Sequence, residues 1–428
     1  MIDIELLRNN PKVVKDNIKK KFQHHKLPLV DEIIAKDKEW RTLKQQADEL
    51  RARRNRLSEE INKLKKKGED ISQAIKDAKS IPQKIAELEF NAERHKARVQ
   101  EILLVLPNVI HKSVPLGKDH TQNVEVEKTG KPRKFTFPAK NHIEIGEQLG
   151  MLDFDSSAET SGKGFYYLKG DIALLNMALV NFARDYMVKK GYQYVEPPLM
   201  IRKDVLTGVY SNAEIEAMSY KIDGEDLYLI ATSEHSLIGM FINKTLKKEE
   251  LPVKLTSYSM CFRKEIGSHG IEEKGLYRTH QFNKQEMIVI CSPKDSYKHY
   301  YEMRKLSKGL FRLLGIPIRV LECCSGDLAD LKAKSEDLEA WSPVKKEYYE
   351  VCSLTNMEEA QARRLNIKIS DGNEKYFAHT LNNTAIATSR ALVAILENFQ
   401  QKDGSVKIPK VLWKYMGKKV IKGLPRKL

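Results

Sequence analysis

Apolar residues recur every seven positions through the first quarter of the chain. Ile33, Trp40, Ala47, Arg54 and Ile61 form one ladder, and Leu43, Leu50, Leu57 and Leu64 follow three positions further on. This is a heptad seam interrupted by one charge, Arg54, and it predicts a long helix. Gly68 ends the ladder in a charged turn. A second ladder follows, built from Ile71, Ala78, Ile85, Ala92 and Val99 with Ala74, Ile81, Leu88, His95 and Ile102. Two such helices joined by a short connection fold back as an antiparallel hairpin, here about residues 31–104, each burying its seam on the other. Pro82 lies inside the second ladder, where proline removes a backbone donor, and it predicts a kink or a restart near Ser80.

After residue 106 the heptads stop. Pro, Gly and Asn enter at LPNVIHKSVPLGKDHTQN, which marks a domain boundary and divides the chain into residues 1–106 and 107–428. Ile172, Leu175, Leu179, Phe182 and Tyr186 then step at helical period until Gly191, and a short strand runs to Pro197-Pro198. DLYLIATSEHSLIGMFI, 226–242, reads as a strand entering a helix that Thr232 caps. Two strand-like stretches flank a polar loop, Gly267–Arg278, that is too long for a tight turn. In the first, strand period puts Arg263 and Glu265 on one face; in the second, Phe282 and Glu286 share a face. HTLNNTAIATSRALVAILENFQ, 379–400, reads as an amphipathic helix opening near Asn383-Thr384, with Leu392, Ile395 and Phe399 on one side and Arg390 on the polar side.

Charge and composition narrow the picture. The formal net charge is +16, which suits a polyanionic partner. Eight basic residues crowd Arg51–Lys67, among them Arg51, Arg53, Arg54 and Arg56, against Glu59 and Glu60. Such a run is a solvated helix face or a phosphate-neutralising tip. Five scattered cysteines with no C-x-x-C pair predict a reducing compartment and no disulfide framework. The opening MIDIELLRNNPK has no apolar core of a signal peptide, and the longest aliphatic run is far too short to span a membrane, so a cytoplasmic protein is expected. Neither a Walker A loop nor a dinucleotide glycine fingerprint occurs, and the Lys305-Leu306-Ser307-Lys308 string falls in a helical pattern.

The wording CFRKEIGSHG…GLYRTHQFNKQE resembles motif 2 of the class II aminoacyl-tRNA synthetases in its seryl-tRNA synthetase form. By pattern alone the same stretch is an amphipathic hairpin with a solvated charged face. The helix, strand and Pro198 resemble motif 1, and the 379–400 stretch, with Arg390, resembles motif 3. The resemblance covers the chain to about residue 416. It implies an α+β fold, with a class II antiparallel sheet flanked by helices and preceded by a coiled-coil arm that binds tRNA. The implied activity is ATP-dependent activation of L-serine to seryl-adenylate, then transfer to the 3′-terminal adenosine of tRNA(Ser), with tRNA(Sec) a further acceptor. It implies a homodimer through motif 1, with ATP and Mg²⁺ at the site and no membrane association.

Roles carry over residue by residue, as implications of the resemblance. Thr232, Ser233 and Glu234 form the T-x-E element, in which Thr232 and Glu234 receive the serine ammonium, and Asn382 also belongs to the serine-binding residues. Glu286 and Thr384 hydrogen-bond the serine hydroxyl. Arg263 clamps the α-phosphate and serine carboxylate, Glu265 contacts the adenine side, Phe282 stacks on the base, and Arg278 and Arg390 hold the outer phosphates. Lys264, Thr279, Val351 and Cys352 also belong to the ATP-binding stretches. Glu350 and Ser353 hold magnesium, which requires a bulge or turn, because a regular strand turns Ser353 away from Glu350. The family's Ser-Ser-Cys-Ser-Asn wording is here Cys352-Ser353-Leu354-Thr355-Asn356. Glu286→Ala is expected to abolish activation with the fold intact. Two rival classes are a catalytically inactive RNA-binding scaffold and a ligase that loads an amino acid onto a carrier protein. The first should have lost site residues that are present here, and the second would not need a basic arm.

Overall fold

The structure, a computed structural model, describes residues 1–265 and 274–423. Most of the polar loop expected at Gly267–Arg278 therefore lies outside the described residues. The chain divides into two compact units, Ile2–Pro107 and Asn108–Leu428 with Met1.

The first unit opens with α1 (Ile4–Asn9) and α2 (Pro11–Lys20), then a hairpin of α3 (Leu27–Lys67) and α4 (Ser72–Val105). At 41 residues, α3 is about 60 Å long at 1.5 Å per residue. It ends at Gly68, whose φ of 73° fits the left-handed cap that glycine adopts at least cost. Ion pairs set the antiparallel register: Arg98 lies 2.6 Å from Glu32 and His95 2.9 Å from Glu39. Ile33 and Ala47 meet Ile85, Ala92 and Val99 in the buried seam, while Arg54 is exposed. The expected restart at Ser80 does not occur. Helix α4 runs unbroken through Pro82, which sits on the exposed face where water can take the carbonyl that its ring leaves unpaired.

The second unit is built on an eight-stranded sheet. Its strands are β1 (Val124–Thr129), β2 (Gln193–Tyr194), β3 (Val253–Phe262), β4 (Gln281–Cys291), β5 (Ile318–Glu322), β6 (Lys334–Ser342), β7 (Glu347–Glu358) and β8 (His379–Ala387), in the order β1-β5-β6-β7-β8-β4-β3-β2. All neighbours are antiparallel except β2 and β3. Helices pack on this sheet, including α5 (His142–Leu149), α6 (Gly170–Lys189), α7 (Ser233–Gly239), α8 (Ser296–Leu314), α9 (Ala360–Leu365) and α10 (Thr388–Phe399). The α+β fold with a flanked antiparallel sheet and a long helical hairpin is the architecture expected from sequence.

Two local expectations are corrected. Residues 379–387 form β8, a strand buried along nearly its whole length between β7 and β4, and the helix opens only at Thr388. Helix α10 is also buried beyond its apolar face: Ala391 to Asn398 are all buried, and buried Glu397 is held by the Ser342 hydroxyl at 2.7 Å. The second correction concerns Arg263 and Glu265. Strand β3 stops at Phe262, whose partner Gln281 begins β4, so the two residues lie beyond the ladder, and Glu265 adopts a φ of 54°.

Candidate active site

The middle strands of the sheet form the floor of a cavity of about 370 Å³. Strand period brings Phe282, Lys284 and Glu286 of β4 to it, and β8 adds Asn382 and Thr384. Thr384 is the register partner of Glu286, so the two side chains meet across the ladder. On β7, pairing with β6 slips by one between Leu338 and Glu339, leaving Val351 as the extra residue. That bulge returns Ser353 to the face of Glu350, and Glu350, Val351, Cys352 and Ser353 all line the cavity. Arg390 reaches it from the first turn of α10, and Thr232 and Glu234 from the start of α7.

One end of the cavity is a nest of buried carboxylates. Glu286 Oε2 lies 2.7 Å from Lys284 Nζ and accepts the Thr384 hydroxyl at 3.3 Å. Glu234 Oε1 accepts the side-chain amides of Gln361 and Asn382, each at 2.8 Å. Burial, with Glu286 close by, pushes the Glu234 carboxyl up to about 7. Thr232 caps α7 by accepting the Glu234 backbone N–H at 3.3 Å. Ser233 is buried beneath this floor, its hydroxyl directed at the Ser257 carbonyl, and does not line the cavity.

Arg263 and Arg390 bring two guanidinium groups to the same cavity. Although β3 has ended, the backbone past it is pinned: Arg263 N–H donates to His280 O at 2.9 Å and Lys264 N–H to Met218 O at 3.0 Å. Arg263 thereby faces the cavity, its guanidinium 5.1 Å from the Phe282 ring centre, and Glu265 lines the same wall. Lys264 points elsewhere. Arg390, expected on a polar helix face, is instead engaged: Nη1 lies 3.0 Å from Glu350 Oε1 and 3.1 Å from its carbonyl, and the guanidinium lies over the Tyr277 ring at 4.7 Å. Burial works to raise the Glu350 carboxyl, but Arg390, Lys332 and Arg263 outweigh it and hold the group below its usual range. Asp337 of β6, register partner of Ser353, is pushed up by burial and by Glu350.

Thr279 lines the cavity and donates its hydroxyl to Gln281 O at 3.0 Å. Arg278 is half-buried outside the lining, and its Nη1 has no hydrogen-bond partner among the described residues. His235 is also buried with both ring nitrogens unpartnered; burial, then Lys284 and Arg263, push it down to about 3, so it packs as a neutral ring edge-on to Tyr210. In the first unit Arg53, Arg54 and Arg56 are exposed, whereas Arg51 is tied to Asp48 at 2.6 Å and to Glu89 across the hairpin.

Sequence reasoning passed over Lys284, Tyr277, Asp337 and Gln361. Lys284 was open to discovery, since it shares the period-two face of Phe282 and Glu286. Asp337 and Gln361 carry no local signal, because distant strand pairings bring them in.

All-oxygen donors at Glu350, Ser353 and Asp337 suit a hard divalent cation such as Mg²⁺. Among the described residues no group of three or more His, Cys, Asp or Glu side chains could hold a metal ion by itself. The five cysteines are buried and free, and none of the described helices is long and apolar enough to cross a membrane.

Residues 1–110 match the family model described as seryl-tRNA synthetase N-terminal domain, and 218–399 match the tRNA synthetase class II core domain (G, H, P, S and T). The serine–tRNA ligase of Methanocella arvoryzae is 45% identical over 97% of this chain and 99% of its own length. The crystal structure of seryl-tRNA synthetase from Pyrococcus horikoshii complexed with ATP superposes with a TM-score of 0.95 at 41% identity, covering 99% of this chain and 100% of that one. The cytoplasmic serine–tRNA ligase of Naegleria fowleri in complex with AMP gives 0.89 at 34% identity, covering 99% of each chain. With sequence identity of this level running from end to end, and with both of the family's domains matched, the chain belongs to the seryl-tRNA synthetases (serine–tRNA ligases).

Proposed function

We propose that the chain activates L-serine with ATP and transfers the seryl group to the terminal adenosine of tRNA(Ser), as a cytoplasmic enzyme. The observation that carries this reading is one cavity lined by two buried carboxylates, Glu234 and Glu286, and by two arginines, Arg263 and Arg390. Glu234 receives the α-ammonium of serine, and Glu286 with Thr384 takes the hydroxyl. Arg263 draws the serine carboxylate and the α-phosphate together, so that a carboxylate oxygen attacks phosphorus in line as the bond to the β-phosphate breaks and pyrophosphate leaves. Phe282 stacks on adenine, and Arg390 grips the outer phosphates. Glu350 and Ser353 would hold magnesium, which would supply charge neutralisation on the phosphates. A hydroxyl of the tRNA's last adenosine then attacks the seryl carbonyl, and AMP departs. The homodimer through motif 1 is supported by apolar side chains exposed on and after α6, among them Leu174, Met177, Val188 and Met200.

ATP–pyrophosphate exchange across a panel of amino acids, followed by charging of total tRNA, tests the reading. Serine is expected to drive exchange at least ~10²-fold better than threonine or alanine. Exchange with a different amino acid, or none, overturns it.

The Glu234 environment adds a pH dependence. Its carboxyl is raised from the usual 4.5 to about 7, so below neutrality it is protonated and cannot pair with an ammonium. The specificity constant for serine is therefore expected to climb about tenfold per pH unit up to pH ~7 and then level off. Glu234→Gln should flatten that acid limb at a far lower rate. A serine profile already level at pH 5.5 contradicts the assignment.

A further inference from the structure

Glu234 does not stand alone. Behind it lies a chain of buried polar groups from elements remote in sequence: Gln361 on α9 is 1% exposed and Thr380 on β8 is 0% exposed. The Thr380 hydroxyl donates to Gln361 Oε1 at 2.7 Å, and Gln361 Nε2 donates to Glu234 Oε1 at 2.8 Å. Asn382, two residues along β8 and on the same strand face as Thr380, donates to the same carboxylate oxygen at 2.8 Å. Neither Gln361 nor Thr380 lines the cavity.

The direction of these bonds matters more than their number. A carboxylate only accepts, whereas a primary amide donates from one end and accepts at the other. If Gln361 turned over, its oxygen would face the Glu234 oxygen, acceptor against acceptor, between side chains that are 1% and 8% exposed. Thr380 completes that arrangement by giving the amide oxygen a donor on the far side. With Glu234 ionised, only one arrangement of the chain satisfies every group. Both amide bonds fall on Oε1, which leaves Oε2 as the oxygen for an incoming cation.

We propose that Gln361 and Thr380 are positioning residues for serine recognition: together they fix the orientation of Glu234, so that it presents one carboxylate oxygen to the substrate's α-ammonium. This rests on the reading of Glu234 given above.

The test uses two non-hydrolysable seryl-adenylate analogues, one with the α-amine and one with hydrogen in its place, bound to the full-length protein. Thr380→Val keeps the volume but removes the hydroxyl; Thr380→Ser keeps the hydroxyl. The wild type should prefer the amine-bearing analogue strongly, and absence of that preference sinks the Glu234 reading itself. Given the preference, Thr380→Val should weaken the amine-bearing analogue about tenfold and leave the other within about twofold, with Thr380→Ser restoring the difference. In exchange assays the same variant should raise KM for serine and not for ATP. Equal weakening of both analogues, or no weakening of either, overturns the positioning role. Gln361→Met provides a second variant read in the same way if the valine protein fails to fold.

Discussion

Replacing Glu286 by alanine is expected to lower serine-dependent pyrophosphate exchange by ~10⁴-fold, because a site built to hydrogen-bond a substrate hydroxyl discriminates on that scale. The fold is expected to stay intact. The structure adds a cost in stability: Lys284 lies 2.7 Å away, and the two side chains are 8% and 2% exposed. Removing the carboxylate strands a buried ammonium, and breaking a buried pair from one side typically costs ~3–5 kcal/mol. Glu286→Ala should therefore also melt at a lower temperature. Adding Lys284→Met should recover much of that stability without recovering exchange. Thermal denaturation of the single and double variants, beside exchange rates, separates the two effects. Exchange at the wild-type rate in Glu286→Ala refutes the serine-pocket assignment.

Removal of residues 35–98 should leave adenylate formation within about twofold while cutting charging of tRNA by ~10³-fold, the order of loss expected when several phosphate contacts vanish together. The hairpin geometry makes the deletion feasible. The Arg98 and Glu32 side chains meet at 2.6 Å across the two helices, which places the cut ends at 34 and 99 on neighbouring helices that a short Gly-Ser linker joins. Charging by the intact protein should fall steeply with salt, and the residual charging of the shortened one should not. Arg53, Arg54 and Arg56, exposed on α3, account for part of the loss, and Arg51 for less, since it is already paired within the arm. Full-rate charging by the shortened protein would falsify the arm assignment.

The legible parts of this chain were those whose partners lie nearby in sequence. The heptads of α3 and α4 pack on each other, and β3 and β4 are consecutive strands, so period alone exposed both. Strand β8 was misread as the start of a helix because Asn382, Asn383 and Thr384 look like capping residues. In the fold each is buried and its donor is taken up elsewhere: Asn383 donates to Met303 O and Ser307, Asn382 to Glu234, and Thr384 to Glu286. No local pattern announces a polar strand whose hydrogen bonds come from other strands and helices. Pro82 misled for a related reason, since the cost of a proline in a helix depends on whether water can reach the carbonyl it frees. Arg390 fell on the expected helix, but its engagement with Glu350 could come only from the pairing of the sheet.

The strand order β7-β8-β4-β3 has a consequence for biosynthesis. Strand β8 is the wedge between β7 and β4, and it leaves the ribosome after both, roughly ninety residues behind β4. Until it inserts, the two walls that carry Glu286 and Glu350 have nothing to join them, and that late, long-range insertion bears the closure entropy of the whole intervening chain. A nascent polypeptide halted anywhere before residue 390 should thus be inert toward nucleotide, so that incomplete products neither sequester ATP nor release stray adenylates.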